Sequence, residues 1–183
     1  MSIESLKNAI PDYAKDIKLN LSSLLNEDVL TDQQKYGCFL ATALAGRNHN
    51  VIQAVENECA KQLSENALNA SKAAHSIMAM NNVYYKFTGM VSNETYKTMQ
   101  AKLRMNVIAN PGVEPVDFEL WSLAVSVING CKYCVDAHEN KLQKEGISKE
   151  SIQAAVRIAA VVHAVSCVLN GEEAMTADFA QAA

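Results

Sequence analysis

Apolar residues recur at helical spacing along most of the chain, and the few positions that interrupt them divide it into elements. Tyr36, Phe39, Leu40, Ala43 and Leu44 fall on one helical face. They follow Thr31-Asp32-Gln33-Gln34, which has the form of a capping box, and Gly46 stops the run. Further breaks stand at Pro11, Gly89, Asn110-Pro111-Gly112, Pro115, Gly130, Gly146 and Gly171. Ser92, Asp117 and Ser148 are placed to act as N-caps. The helix carrying Trp121, Leu123, Ala124, Val125, Val127 and Ile128 is apolar nearly all round, which predicts burial on every side. Glu119, Ser122 and Ser126 form its one polar stripe. Thr95 to Met105 predicts a short basic helix whose Lys97, Lys102 and Arg104 form a solvated face.

This pattern runs twice. A shift that lays Gly46 on Gly130 also lays Leu63-Ser64 on Ile147-Ser148, Leu68 on Ile152 and Ala70 on Ala154 without a gap. Each copy reads as an apolar helix, a glycine, a second helix, a Ser-capped turn and a long helix ending near Gly89 or Gly171. The expected organisation is one domain, 1–183, with a first helical repeat at 30–89, a connector at 90–115 and a second repeat at 116–171. The copies differ at the glycine turn. Cys131 and Cys134 stand where the first copy has Arg47 and Asn50, so thiol chemistry is confined to the C-terminal half.

Composition narrows the class. Seven Gly and three Pro among 183 residues are too few for the turns of a β-rich fold, so the chain reads as all-α. Hydrophobic residues at 49%, charged residues at 20% and a net charge of −4 describe a globular protein with little affinity for nucleic acid. The longest uncharged stretch, Ile158 to Gly171, is shorter than the roughly 20 apolar residues of a membrane span. The first residues lack the apolar core of a signal peptide, and the expected location is the cytoplasm. Five cysteines in such a chain point to redox or metal chemistry rather than to a disulfide framework.

That chemistry concentrates in Asn129-Gly130-Cys131-Lys132-Tyr133-Cys134-Val135-Asp136-Ala137-His138-Glu139. At about 100° per residue, Cys131, Cys134 and His138 project from one ~60° sector of a helix that begins at Cys131. A free thiol is only ~3% ionised at pH 7, and a helix N-terminus with an imidazole one turn on both raise that fraction. Thiols three residues apart can also close a disulfide once one of them has become a sulfenic acid. Glu119, on the preceding helix, is placed to orient His138 and raise its basicity. A carboxylate near a helix start also answers the macrodipole, and spacing does not choose between the two roles. Zinc is the rival reading, with Cys131, Cys134, His138 and Glu119 as ligands, although no second C-x-x-C or H-x-x-x-H supplies the usual separated pair. Cys38, Cys59 and Cys167 read as inert buried thiols and His163 as a core histidine, while His49 and His75 receive no role.

Phe118-Glu119-Leu120-Trp121-Ser122, Ile128-Asn129-Gly130-Cys131 through Cys134 to Ala137-His138-Glu139, and Met80-Asn81-Asn82-Val83-Tyr84-Tyr85 together resemble the alkyl hydroperoxide reductase D (AhpD) family of the carboxymuconolactone decarboxylase-like superfamily. The resemblance implies a compact all-α homotrimer of two related helical halves. It implies an antioxidant peroxidase with no bound cofactor or metal. Its alkyl hydroperoxide substrate is reduced with electrons from the dihydrolipoyl group of a 2-oxoacid dehydrogenase acyltransferase, and electrons can pass to the peroxiredoxin AhpC. By motif position, Cys134 would be oxidised to sulfenic acid and Cys131 would resolve it as a disulfide. Glu119 and His138 would relay protons, through water. A redox adaptor between lipoyl protein and peroxiredoxin, without peroxidase activity of its own, is the alternative. One departure is Tyr133, where some family members place a histidine; a phenol with a pKa near ~10 is no base at neutrality.

Overall fold

A computed structural model describes the backbone of residues 1–181 and side chains as far as Thr176. Helices follow one another from end to end, and there is no strand among the described residues. They are α1 (Ile3–Ala9), α2 (Lys15–Leu25), α3 (Asp32–Gly46), α4 (His49–Gln62), α5 (Glu65–Met90), α6 (Thr95–Thr98), α7 (Asn106–Ala109), α8 (Pro115–Ile128), α9 (Lys132–Lys144) and α10 (Lys149–Gln181). The all-α class read from composition is the class observed.

Two helices form the centre. α8 is buried from Asp117 to Ser126, as its apolar sequence predicts. α3 is buried on almost every side as well, including Gly37, Cys38, Ala41 and Thr42, which lie off the face read from the sequence. The two pack on each other, with α5 and α10 against both, α4 against α3, and α9 against α8 and α5. Their closeness rests on Gly37. A side chain there would overlap the indole of Trp121, whose Nε1–H donates to the Gln34 carbonyl at 3.1 Å. The buried apolar side chains form one continuous cluster around this crossing.

The helix ends follow the chemistry of their caps. Thr31 Oγ1 accepts from the Gln34 N–H and Gln34 Oε1 from the Thr31 N–H, each at 3.2 Å, which completes the capping box. Ser64 and Ser148 cap α5 and α10 in the same way, each accepting from the N–H three residues on. Arg47, left-handed at φ 60°, closes α3 one residue beyond Gly46. Two expected caps fall elsewhere. Asp117 lies inside the first turn of α8, buried, where its carboxylate accepts from the side-chain amides of Gln33 at 2.7 Å and Gln34 at 2.9 Å. Ser92 precedes α6, but it is Asn93 Oδ1 that accepts from the Thr95 N–H.

Two expectations about extent are corrected. The basic helix over Thr95 to Met105 is only Thr95–Thr98, after which the chain leaves helical geometry and reaches φ 52° at Lys102. Gly171 does not end α10, which runs on to Gln181. Glycine within a helix costs about 1 kcal/mol, and tethers on both sides of it offset that. Tyr13 Oη donates to Glu172 at 2.8 Å, and Asn48 Nδ2 donates to Asn170 at 2.8 Å and to Glu173 at 3.1 Å. α1 and α2 precede the first helix marked by the sequence pattern; Leu6, Leu21 and Leu24 bury them. By length and composition α10 is apolar enough to cross a membrane, yet half of that stretch is buried against its neighbours, as in the core helix of a globular protein.

Candidate active site

The turn between α8 and α9 is built by residue type. Asn129 continues the right-handed helix, and Gly130 then takes φ 65°, a value that favours glycine. The reversal lets the Cys131 N–H donate back to the Ser126 carbonyl at 3.2 Å. α5 pins the turn from outside: Asn82 donates from Nδ2 to Ser126 Oγ and accepts at Oδ1 from Asn129 Nδ2, each at 2.9 Å. Tyr85, one turn further along α5, stacks on Tyr133 with ring centroids 4.9 Å apart.

Cys131 is the N-cap of α9 rather than its first residue, with extended backbone. The three side chains therefore do not share one helical face, as the spacing predicts. Cys134 and His138 do, one turn apart on α9, and Cys131 reaches Cys134 across the cap. Cys131 and Cys134 form a disulfide with Cα atoms 5.4 Å apart, and Cys131 Sγ also accepts the Cys134 N–H at 3.3 Å. A sulfur in that position receives the free N–H and partial positive charge of the helix start, which favour an anion there once both cysteines are reduced. Both cysteines are buried, while Lys132 and Tyr133 between them are exposed.

His138 and Glu119 meet as expected. His138 Nδ1 lies 2.6 Å from Glu119 Oε2, which joins α9 to α8. The other carboxylate oxygen, Oε1, accepts from Lys141 Nζ at 2.6 Å. Burial works to raise the Glu119 pKa, but hydrogen bonds and charge from His138 and Lys141 outweigh it and hold the carboxyl below its ordinary value. An ionised carboxylate only accepts, so Nδ1 carries a hydrogen, and Nε2 is left as the nitrogen that can gain or lose a proton. That Nε2 faces Met78 Sδ on α5 at 3.2 Å. Of the polar stripe on α8, Glu119 meets His138, Ser126 meets Asn82, and buried Ser122 Oγ has no protein partner.

Beside the Gly130 turn lies a groove of about 580 Å³. Tyr85, Tyr133 and Met90 supply its apolar wall and Lys86, Lys97, Lys132 and Asp136 its charge, with Gly130 at the base of the turn. On the Glu119 side a smaller cleft of about 190 Å³ opens between the start of α8 and Lys141.

The remaining chemistry-bearing residues lie apart from this site. Cys38 and Cys59 are buried as expected, and burial pushes both thiols up, Cys59 to about 12. Cys167 is exposed instead of buried, and His163, expected in the core, is exposed beside it with Nε2 3.5 Å from the sulfur. Both lie on the outward face of α10, a register that a run of Ala, Val and Ile conceals. His75 is half-buried with its Nδ1 unpartnered, and burial pulls its pKa down. Among the described residues, no three His, Cys, Asp or Glu side chains converge as a metal ion would require.

Residues 94–177, from the connector through α10, match the carboxymuconolactone decarboxylase family. The chain is also 61% identical over 178 residues to the alkyl hydroperoxide reductase AhpD of Hyphomonas neptunium, spanning 97% of this chain and 99% of that protein. The chain belongs to the AhpD family. The AhpD of Azorhizobium caulinodans is 56% identical across all of this chain and 99% of its own, and that of Brucella suis is 54% identical over 94% of this chain and 99% of its own. Within this AhpD-family chain, the matched segment includes Glu119, Cys131, Cys134 and His138, all brought by α8 and α9 to one place.

Sequence reasoning missed the partners that surround these residues. Lys141 stands three positions past His138, the spacing that puts both on one face of α9, and that signal could have found it. Met78 carries no such signal, because it reaches His138 from a helix distant in sequence.

Proposed function

We propose that the protein is a thiol peroxidase that reduces alkyl hydroperoxides to alcohols, as the names of its relatives suggest. The observation that carries this reading is the pairing, within one turn of α9, of a Cys131–Cys134 disulfide with an imidazole whose far nitrogen is held by a buried carboxylate. In the reduced protein the Cys134 thiol gives its proton to His138 Nε2, through water, and Glu119 steadies the imidazolium. The Cys134 thiolate then attacks the terminal oxygen of ROOH. The O–O bond breaks, RO⁻ takes a proton to leave as ROH, and Cys134 becomes a sulfenic acid. Cys131 displaces hydroxide from that sulfur, which leaves as water, and forms the disulfide seen here.

Re-reduction needs two electrons from outside. A dihydrolipoyl dithiol supplies them: one of its sulfurs attacks Cys131, releases Cys134 and is then displaced by its own second thiol, leaving lipoyl disulfide. The groove beside Gly130 and Tyr133 adjoins the turn that carries Cys131, and such an arm would approach there. The reading includes the lipoylated 2-oxoacid dehydrogenase acyltransferase as donor, passage of electrons to the peroxiredoxin AhpC, assembly as a homotrimer, and work in the cytoplasm, where thiols are kept reduced. No cofactor is bound to the protein in this scheme.

Hydroperoxide-dependent oxidation of dihydrolipoamide, followed with a metal chelator present, tests the proposal. Wild type is expected to turn over and Cys134→Ser to be inactive. A wild type that consumes peroxide only when a peroxiredoxin is added would move the function to electron carriage between proteins.

A further inference from the structure

Glu119 has two buried oxygens and two partners of different character. Oε2 faces the buried His138, and Oε1 faces Lys141, whose ammonium arrives from the surface side; the side chain of Glu119 is 5% exposed and that of Lys141 44%. We propose that Lys141 is a positioning residue for the reaction above, fixing the orientation and the negative charge of Glu119 so that Oε2 serves His138 alone.

The inference rests on the proposed peroxidase reading and follows from the needs of a buried carboxylate. Burial favours the neutral acid, and a neutral carboxyl group can rotate and donate, which would free Nδ1 of His138 from its fixed tautomer. The imidazole is itself required to gain and lose a proton, so it cannot be a constant counter-charge. Lys141 takes no part in the proton transfer, and its Nζ stands 2.6 Å from Oε1. Its reach also matches the shape of the molecule. The small cleft is lined by Glu119, Lys141, Val116 and Leu142, and the lysine head reaches the carboxylate there. The charges acting on Glu119 come from His138 and Lys141 on α9. α5 presents the uncharged Met78 and Asn82 to this region, and Glu114 and Glu145 are the other carboxylates of the cleft.

A simple staple between α8 and α9 would use the same ion pair, so the test must read charge as well as stability. Lys141→Met keeps most of the stem and removes the charge; Lys141→Gln is a second neutral variant should the first pack poorly; Lys141→Arg restores a cation. The pH dependence of turnover is measured for each. The protonation of Glu119 is followed in the reduced proteins from the infrared carbonyl band that disappears in Glu119→Gln. In the neutral variants the Glu119 midpoint is expected to rise, and the acid limb of the turnover profile to move to higher pH with KM for peroxide unchanged. Arginine should return both toward wild type. Neutral variants with the wild-type carboxyl midpoint and the wild-type acid limb would overturn the proposal, as would a loss of turnover that arginine does not relieve. The infrared titration needs no turnover, so it decides the role of Lys141 even if the wild type proves not to be a peroxidase.

Discussion

His138 and Glu119 touch through Nδ1 and Oε2 at 2.6 Å, Glu119 on the enclosed helix α8 and His138 on the buried face of α9. The contact turns Nε2, the nitrogen able to take a proton, away from Glu119 and toward Met78 on α5, with Cys134 one helical turn earlier on α9. Replacing His138 by alanine is expected to lower peroxidase turnover ~10²- to 10⁴-fold, the usual worth of a positioned general base. Steady-state kinetics, with helicity checked by circular dichroism, measures it. A loss of only a few-fold in a folded variant would remove His138 from the relay.

The same carboxylate links stability to acid. The folded protein holds the Glu119 carboxyl below its ordinary value, so the stability this adds is fully present above the unfolded value of ~4.3 and is lost as pH falls through the folded one. Urea unfolding of wild type and Glu119→Gln across the acid range reads this directly. The glutamine variant is expected to lose less stability than wild type on acidification. Parallel curves would contradict the assignment.

Gly37 supplies a test of the fold alone. A methyl group at that position would meet the Trp121 ring where α3 and α8 cross, both elements being buried there. Gly37→Ala is expected to destabilise by about 1–3 kcal/mol, although alanine is the better helix former. Chemical denaturation gives the value, and a neutral or stabilising effect would show that the crossing yields.

Tyr133 stacks on Tyr85, and its hydroxyl is not part of the His138–Glu119–Lys141 chain. Tyr133→Phe is therefore expected to keep wild-type turnover, while Tyr133→Ala, which removes the stack at the edge of the groove, is expected to raise KM for the reductant. A large fall in turnover for the phenylalanine variant would show that the phenol takes part in proton transfer.

How much of this was legible in the sequence depends on how local each signal is. The capping box at Thr31, the buried length of α8 and the constellation of Glu119, Cys131, Cys134 and His138 could be read because caps, periodicity and one-turn spacings involve neighbours along the chain. Cys131 was misplaced by one position: a sulfur at the N-cap and one in the first turn look the same in sequence, and only the backbone turn at Gly130 separates them. The continuation of α10 past Gly171 was hidden because the groups that hold it, Tyr13 and Asn48, come from the other end of the chain. His163 and Cys167 read as core residues because α10 is apolar on most of its circumference, and periodicity fades where nearly every position is apolar. Lys141 lay within reach of spacing arguments, whereas Met78 and Asn82 enter the site only through packing of α5.

The central claim is that Cys134 is the sulfur that takes oxygen from the peroxide and Cys131 the one that resolves it. Cys131→Ser, fully reduced and then treated with one equivalent of cumene hydroperoxide in the presence of dimedone, should carry a single dimedone adduct, on Cys134, by peptide mass spectrometry. In Cys134→Ser no adduct should form on Cys131. An adduct on Cys131 in that second variant, with Cys134 unmodified in the first, would reverse the roles and contradict the account.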